Sequence, residues 1–174
     1  MALPETLEGI NGTDDGPHQR GGLWSRRAVI ALLALVVAAG LAGVLGVRTT
    51  TSEGTTGDWH LEVLHPQVAR AGLDAPWEVR VRHDGGFGPE VEIAVTGAYF
   101  DIFETQGFHP EPTEATRDGE TLHLTFAAPD TDELVVRYDA YIQPASQQGA
   151  SGEVSVLERG APVVSVPIRT RLLP

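Results

Sequence analysis

The chain has no cysteine and no lysine among its 174 residues. Without cysteine it can build no disulfide framework, thiol nucleophile or cysteine-rich zinc or iron–sulfur site. An exported domain of this composition must be held by its hydrophobic core alone. Without lysine, all 12 basic residues are arginine, set against 24 acidic ones for a net charge of −12. That balance leaves too little positive charge to neutralise a phosphate backbone, so nucleic acid is not an expected partner. An anionic membrane surface repels the chain as a whole.

Charge is also missing from one long run. Ala28 to Val47 reads "AVIALLALVVAAGLAGVLGV" and holds no ionisable residue. A helix of that length spans about 30 Å at ~1.5 Å per residue, the thickness of a bilayer core. Arg26 and Arg27 precede it, with Arg20 nearby, while Arg48 is followed by no arginine until Arg70. The bias predicts a cytoplasmic N-terminus and an outer C-terminal domain. A cleaved signal peptide is the rival reading, but the run is longer than a usual h-region and no small-x-small site follows. A twin-arginine signal is a second rival, since "SRRAVIALL" holds paired arginines; the rest of that motif is poorly matched.

Residues 1–27 therefore read as a disordered cytoplasmic tail. Residues 28–47 read as a transmembrane helix, 48–57 ("RTTTSEGTTG") as a flexible linker, and 58–174 as an extracytoplasmic domain. Within the helix, Ala34, Ala38, Ala42 and Gly46 recur every four residues. Such a stripe lets a second helix approach closely.

Beyond residue 58 the hydrophobic period is two. Trp59, Leu61 and Val63 alternate with His60 and Glu62; Trp77, Val79 and Val81 alternate with Glu78 and Arg80. The same pattern recurs at Val91–Val95, Leu122–Phe126, Leu134–Ile142, Val154–Val156 and Val164–Ile168. Turn sequences such as "HDGG", "RDG" and "RGAP" separate these segments. About seven short strands, each with one wet face, predict an immunoglobulin-like or fibronectin-type β-sandwich. The Cys…Trp…Cys signature of antibody domains is absent.

Three stretches carry a resemblance: "LHPQVARAGLDAPWEVRV", "YFDIF…HPEP" and "YDAYIQP". With the short tail and the single helix before them, the chain resembles a group of uncharacterised single-pass bacterial membrane proteins with a small β-rich outer domain. That resemblance implies architecture only and brings no site residues.

Catalytic motifs are lacking. No G-x-S-x-G surrounds Ser25, Ser52, Ser146, Ser151, Ser155 or Ser165. No histidine sits in an H-x-H or H-x-x-x-H pattern, and a metal shared by His60, His65 and His109 would need distant loops to meet. "DGGFG" lacks the lysine and the following helix of a phosphate-binding loop. No catalytic residue, cofactor or metal is expected, and the chain does not read as an enzyme.

The densest segment is Tyr99 to Phe126, "YFDIFETQGFHPEPTEATRDGETLHLTF", which contains four of the five phenylalanines. "AYFDIF" fits a single helical turn or a bend, with Phe103 and Phe108 closing one end of the domain. "HPEP" then takes an extended path. The segment reads mainly as an aromatic plug, with Tyr99, Asp101, Glu104 and Phe108 as a candidate partner surface. The functional expectation is a non-enzymatic accessory or interaction module for another membrane or envelope protein. A ligand-binding or sensing domain with an apolar pocket near Phe103 and Phe108 is the alternative, and an envelope hydrolase the remote one.

Overall fold

The computed structural model describes residues 17–41, 43, 46–104 and 107–173. They fall into two compact units, 1–45 and 46–174.

In the first unit, α1 runs from Pro17 to Leu41. Proline suits a first helical turn, where its missing N–H would be unpaired anyway. The window Trp24–Leu41 has mean hydropathy 1.7, and the helix is long and apolar enough to cross a membrane. It begins earlier than expected, taking in residues 17–27 of the predicted tail. It also ends earlier. Gly43, at φ +69, lies in the left-handed region that terminates helices, and its N–H bonds back to Gly40 O.

The second unit is mostly strand. β1 is Arg48–Thr56, β2 Trp59–Arg70, β3 Asp74–His83 and β4 Glu90–Thr96. A 3-10 helix, Gly97–Ile102, follows. β5 is Phe108–His109, β6 Glu114–Asp118, β7 Thr121–Ala127 and β8 Glu133–Tyr141. β9 is Ala150–Glu158 and β10 Ala161–Leu173. The seven segments of alternating hydrophobicity are β2, β3, β4, β7, β8, β9 and β10.

Hydrogen bonding joins the strands into one curled, mixed, ten-stranded sheet, in the order β5-β8-β3-β2-β10-β9-β4-β7-β6, with β1 paired to β2. The expected sandwich is replaced, at this level, by a continuous path. β10 is the reason: its first ten residues pair antiparallel with β9, and its last three pair parallel with β2. The curl brings apolar faces from both halves into a single core, with Leu61, Val79, Val136, Ile93, Phe126 and Val156 all nearly inaccessible. Burial of each such side chain contributes roughly 1.5–3 kcal/mol, the only large source available without disulfides.

The predicted linker 48–57 is largely β1. Its threonines are β-branched and favour extended backbone. Gly57, at φ +57, opens the two-residue turn that folds β1 back onto β2. At the β9–β10 turn, Arg159 and Gly160 both have positive φ, 54° and 78°. A type I′ hairpin requires that of both its central residues.

Candidate functional site

The aromatic corner is built as the spacing predicted. The 3-10 helix buries Tyr99 and Ile102, and Phe103 follows them inside. Phe100 packs edge-on against Trp77 at 5.3 Å between centroids, and against Tyr138 at 5.1 Å. Phe108, on β5, lies 4.7 Å from the Tyr138 ring. The Tyr138 hydroxyl donates to Glu104 O at 2.9 Å, which ties β8 to the end of the helical turn.

The four residues predicted as a partner surface separate here. Tyr99 is wholly buried and leaves that surface. Its hydroxyl points inward, and burial pushes its pKa up to about 12, partly offset by the hydrogen bond to Thr170. Asp101 and Glu104 are exposed, and Phe108 is half-buried. Beside them lies a shallow hollow of about 250 Å³, lined by Phe100, Asp101, Phe103, Phe108, Arg117, Leu122 and Tyr138.

The small-residue stripe does not continue through the helix. Ala34 and Ala38 lie within α1, Ala42 lies outside the described residues, and Gly46 falls beyond the last helical residue, Leu41. The histidines stay apart. His60 contacts Thr55, His109 contacts Asp139, and His123 contacts Glu92. Among the described residues, no group of three or more histidines and carboxylates could hold a metal ion.

A second site was not visible in the sequence. A groove of about 680 Å³ opens between β1, β2, β9 and β10. Two prolines shape it. Pro66 on β2 and Pro167 on β10 have no N–H to give a ladder, and β2 meets β10 only from Val68↔Arg171 onward. Side chains satisfy the two carbonyls instead. Thr170 Oγ1 donates to Pro66 O at 2.6 Å, and Ser52 Oγ donates to Pro167 O at 2.7 Å.

His65 lines the groove yet is only 2% exposed. Its Nδ1 lies 3.3 Å from Pro66 O and its Nε2 lies 3.3 Å from Ser52 Oγ. Desolvation lowers its pKa, against a smaller raising effect from the Pro66 carbonyl. A serine beside a histidine invites comparison with a nucleophile and its base. The Ser52 hydroxyl carries one proton, however, and that proton is given to Pro167 O. Attack by Ser52 would first require breaking this bond. The contact acts as a strut that joins β1 to β10 across the groove.

The outer face of β3 and β8 carries an ion-pair ladder. Glu133 accepts from Arg82 at 2.8 Å and from Arg80 at 3.0 Å; Glu78 accepts from Arg137 at 2.8 Å and from Arg80 at 3.0 Å. The hydrogen bond from Arg82, with the charge of Arg80, holds the Glu133 carboxyl below its usual range. These pairs are solvent-facing sheet decoration of modest individual worth.

No family model matches the chain, and no curated protein matches it significantly.

Proposed function

We propose that the chain is a single-pass membrane protein whose outer β-domain is a non-enzymatic interaction module for another membrane or envelope protein. One observation carries the reading. The apolar side chains of α1 between Trp24 and Leu41 are almost all exposed, although a helix apolar on all sides needs lipid or a protein core around it. The β-domain fills its own core, and six residues separate the end of the helix from its first strand. Arg26 and Arg27 at the N-terminal end of the span favour a cytoplasmic N-terminus and an extracytoplasmic β-domain.

We also infer that the curled sheet is a variant of the immunoglobulin-like sandwich. What supports this is the path of β2, which leaves β3 after Leu64 and joins β10 in parallel from Val68. A strand that passes from one sheet to the other follows such a path.

The proposed contact surface is Asp101, Glu104 and Phe108 around the aromatic hollow, with Tyr99 now part of its foundation. The hollow also favours the second reading, a sensing domain for a small apolar ligand. Photo-crosslinking in intact membranes separates them. A cross-linker at position 101 is expected to give one discrete protein adduct, and a cross-linker at Arg159, on the β9–β10 turn, none. The same lone monomer from both positions would reject the interaction module. Labelling of Ser52 by a fluorophosphonate would reject its non-enzymatic character. Orientation is read separately: externally added protease should digest the β-domain of intact inner-membrane spheroplasts.

A further inference from the structure

We propose that the groove between β1, β2, β9 and β10 binds a phosphoester anion, gripped by Arg169 and Arg171. The two arginines alternate with buried Ile168 and Thr170 on β10, so both lie on its exposed face. Residues two apart on a strand are separated by roughly 6.5–7 Å, a span that two guanidinium groups can close around one phosphate from either side. Among the described residues, neither arginine has an ion-pair partner, whereas Arg80, Arg82 and Arg137 all do.

The lining is one-sided in charge. Its charged members are Arg169 and Arg171, with no aspartate or glutamate, in a chain whose acids outnumber its bases by 24 to 12. Thr50, Gln67 and Ser151 also line it. Their hydroxyl and amide groups are neutral donors of the kind that complete an oxyanion shell around arginine. A third arginine flanks the site. Val68, on the groove wall, pairs with Arg171 on β10 and, across a bulge in the ladder, with Arg48 on β1. Directly paired residues point to the same face of a sheet, so Arg48 extends the positive edge.

Size narrows the ligand. A groove of about 680 Å³ falls in the range of small-molecule sites, roughly 300–1,000 Å³. It has room for a phosphoester carried on a larger body. A soluble phosphoester and an anionic lipid headgroup share that chemistry. Arginine suits both because its planar fork can hold two phosphate oxygens at once. The net charge of the chain opposes anions at long range, but screening limits that repulsion to about 8 Å at physiological salt. The site does not depend on the interaction module proposed above.

Arginine labelling with phenylglyoxal, read residue by residue by mass spectrometry, tests it on the full chain. One arm uses neutral detergent micelles and adds glycerol phosphate. The other uses nanodiscs of phosphatidylcholine with or without phosphatidylglycerol. Ligand at about four times its dissociation constant should slow labelling of Arg169 and Arg171 about fivefold, because the free fraction is 1/(1 + [L]/Kd). Arg159, on the distant β9–β10 turn, should be unaffected. Protection by glycerol phosphate identifies a soluble ligand; protection only with phosphatidylglycerol identifies a lipid headgroup. The R169Q/R171Q variant, changed at exposed positions, should melt as the parent does. It should also abolish the protection that the same ligand gives to Arg48. Equal protection of Arg159, or no protection in either arm, overturns the proposal.

Discussion

The hydroxyl of Tyr99 lies 2.8 Å from Thr170 Oγ1, and both side chains are almost wholly buried. Thr170 spends its own proton on Pro66 O, so Tyr99 is the donor and Thr170 the acceptor. The chain Tyr99–Thr170–Pro66 thus links the 3-10 helix, β10 and β2 through three polar groups inside an apolar core. Removing its two ends is not equivalent. Y99F leaves Thr170 still bonded to Pro66 and should cost about 1 kcal/mol, the net worth of one hydrogen bond. T170V strands the Tyr99 hydroxyl and leaves Pro66 O with only its longer contact to His65 Nδ1, and should cost about 2 kcal/mol. The Y99F/T170V double variant should be less destabilised than the sum, since the phenol orphaned by T170V is gone. Strict additivity in urea denaturation would refute the linkage.

Stability should fall at both ends of the pH scale, for opposite reasons. The Tyr99 phenol is raised to about 12 from its ordinary value near 10. Between those values the folded state holds a proton that the unfolded state releases, so stability declines as pH rises. Y99F should flatten that alkaline decline. His65 is lowered by burial from its ordinary 6.5. Below pH 6.5 the unfolded chain takes up a proton that the folded chain refuses, and stability declines as pH drops toward the folded value. H65Q should remove this acid limb while leaving the alkaline one. Denaturation midpoints measured from pH 5 to pH 11 check both.

Seven strands and the aromatic corner were legible because each carries a periodic apolar signal. The alternation along Trp77, Val79 and Val81 is the core face of β3, and the broken spacing of "AYFDIF" is a helical turn. β6, "EATRD", has five exposed residues and therefore no pattern to read. β1 was hidden for a related reason: "RTTTSEGTT" contains no large apolar residue, and its half-buried positions 50, 52 and 54 are Thr, Ser and Gly. A linker has no fixed neighbours, so the contact of Ser52 with His65 and the groove around it follow only from the pairing of β1 with β2. Two signals were available. The run is rich in β-branched threonine, and Gly57–Asp58 is a two-residue hairpin sequence before a clear strand. Burial of Tyr99 was missed because a tyrosine serves a core and a surface equally well until its hydroxyl has a named partner.

Close approach of backbones should make one glycine irreplaceable and another indifferent. A Cβ built on Gly149 would come within 2.0 Å of Thr170 O and 2.9 Å of Arg171 Cα. Neither atom can move without shifting β10, which also carries the Thr170 hydrogen bonds. Overpacking of this kind costs about 1–3 kcal/mol, and G149A should fall at or above the top of that range. Gly88 has nothing within 4 Å of its Cβ position, and G88A should be neutral within ~0.5 kcal/mol. Thermal melting of the two variants side by side decides it. A similar loss in both would mean that contact with β10 is not what constrains residue 149.

The identity of residues 48–56 as strand can be tested at Gly54. A Cβ there would meet Val166 Cγ1 at 2.8 Å, Val164 Cγ2 at 3.1 Å and Ser165 O at 3.3 Å. β1 therefore lies against β10 along this stretch, in addition to its ladder with β2, and Ser52 fastens it there through Pro167 O. Alanine would displace two valine methyls, and valine would drive β1 outward. G54A should cost about 1 kcal/mol and G54V about 1–3 kcal/mol, the usual range for overpacking. Thr51 faces solvent on the same strand, and T51V should be nearly silent. In a flexible tether all three changes would be silent, because an unpacked chain has nothing for a methyl group to strike. The groove supplies a second readout. Forcing β1 away from β10 should break the Ser52–Pro167 bond and expose His65, so G54V should raise the reactivity of His65 toward diethylpyrocarbonate while His109, already exposed, stays unchanged.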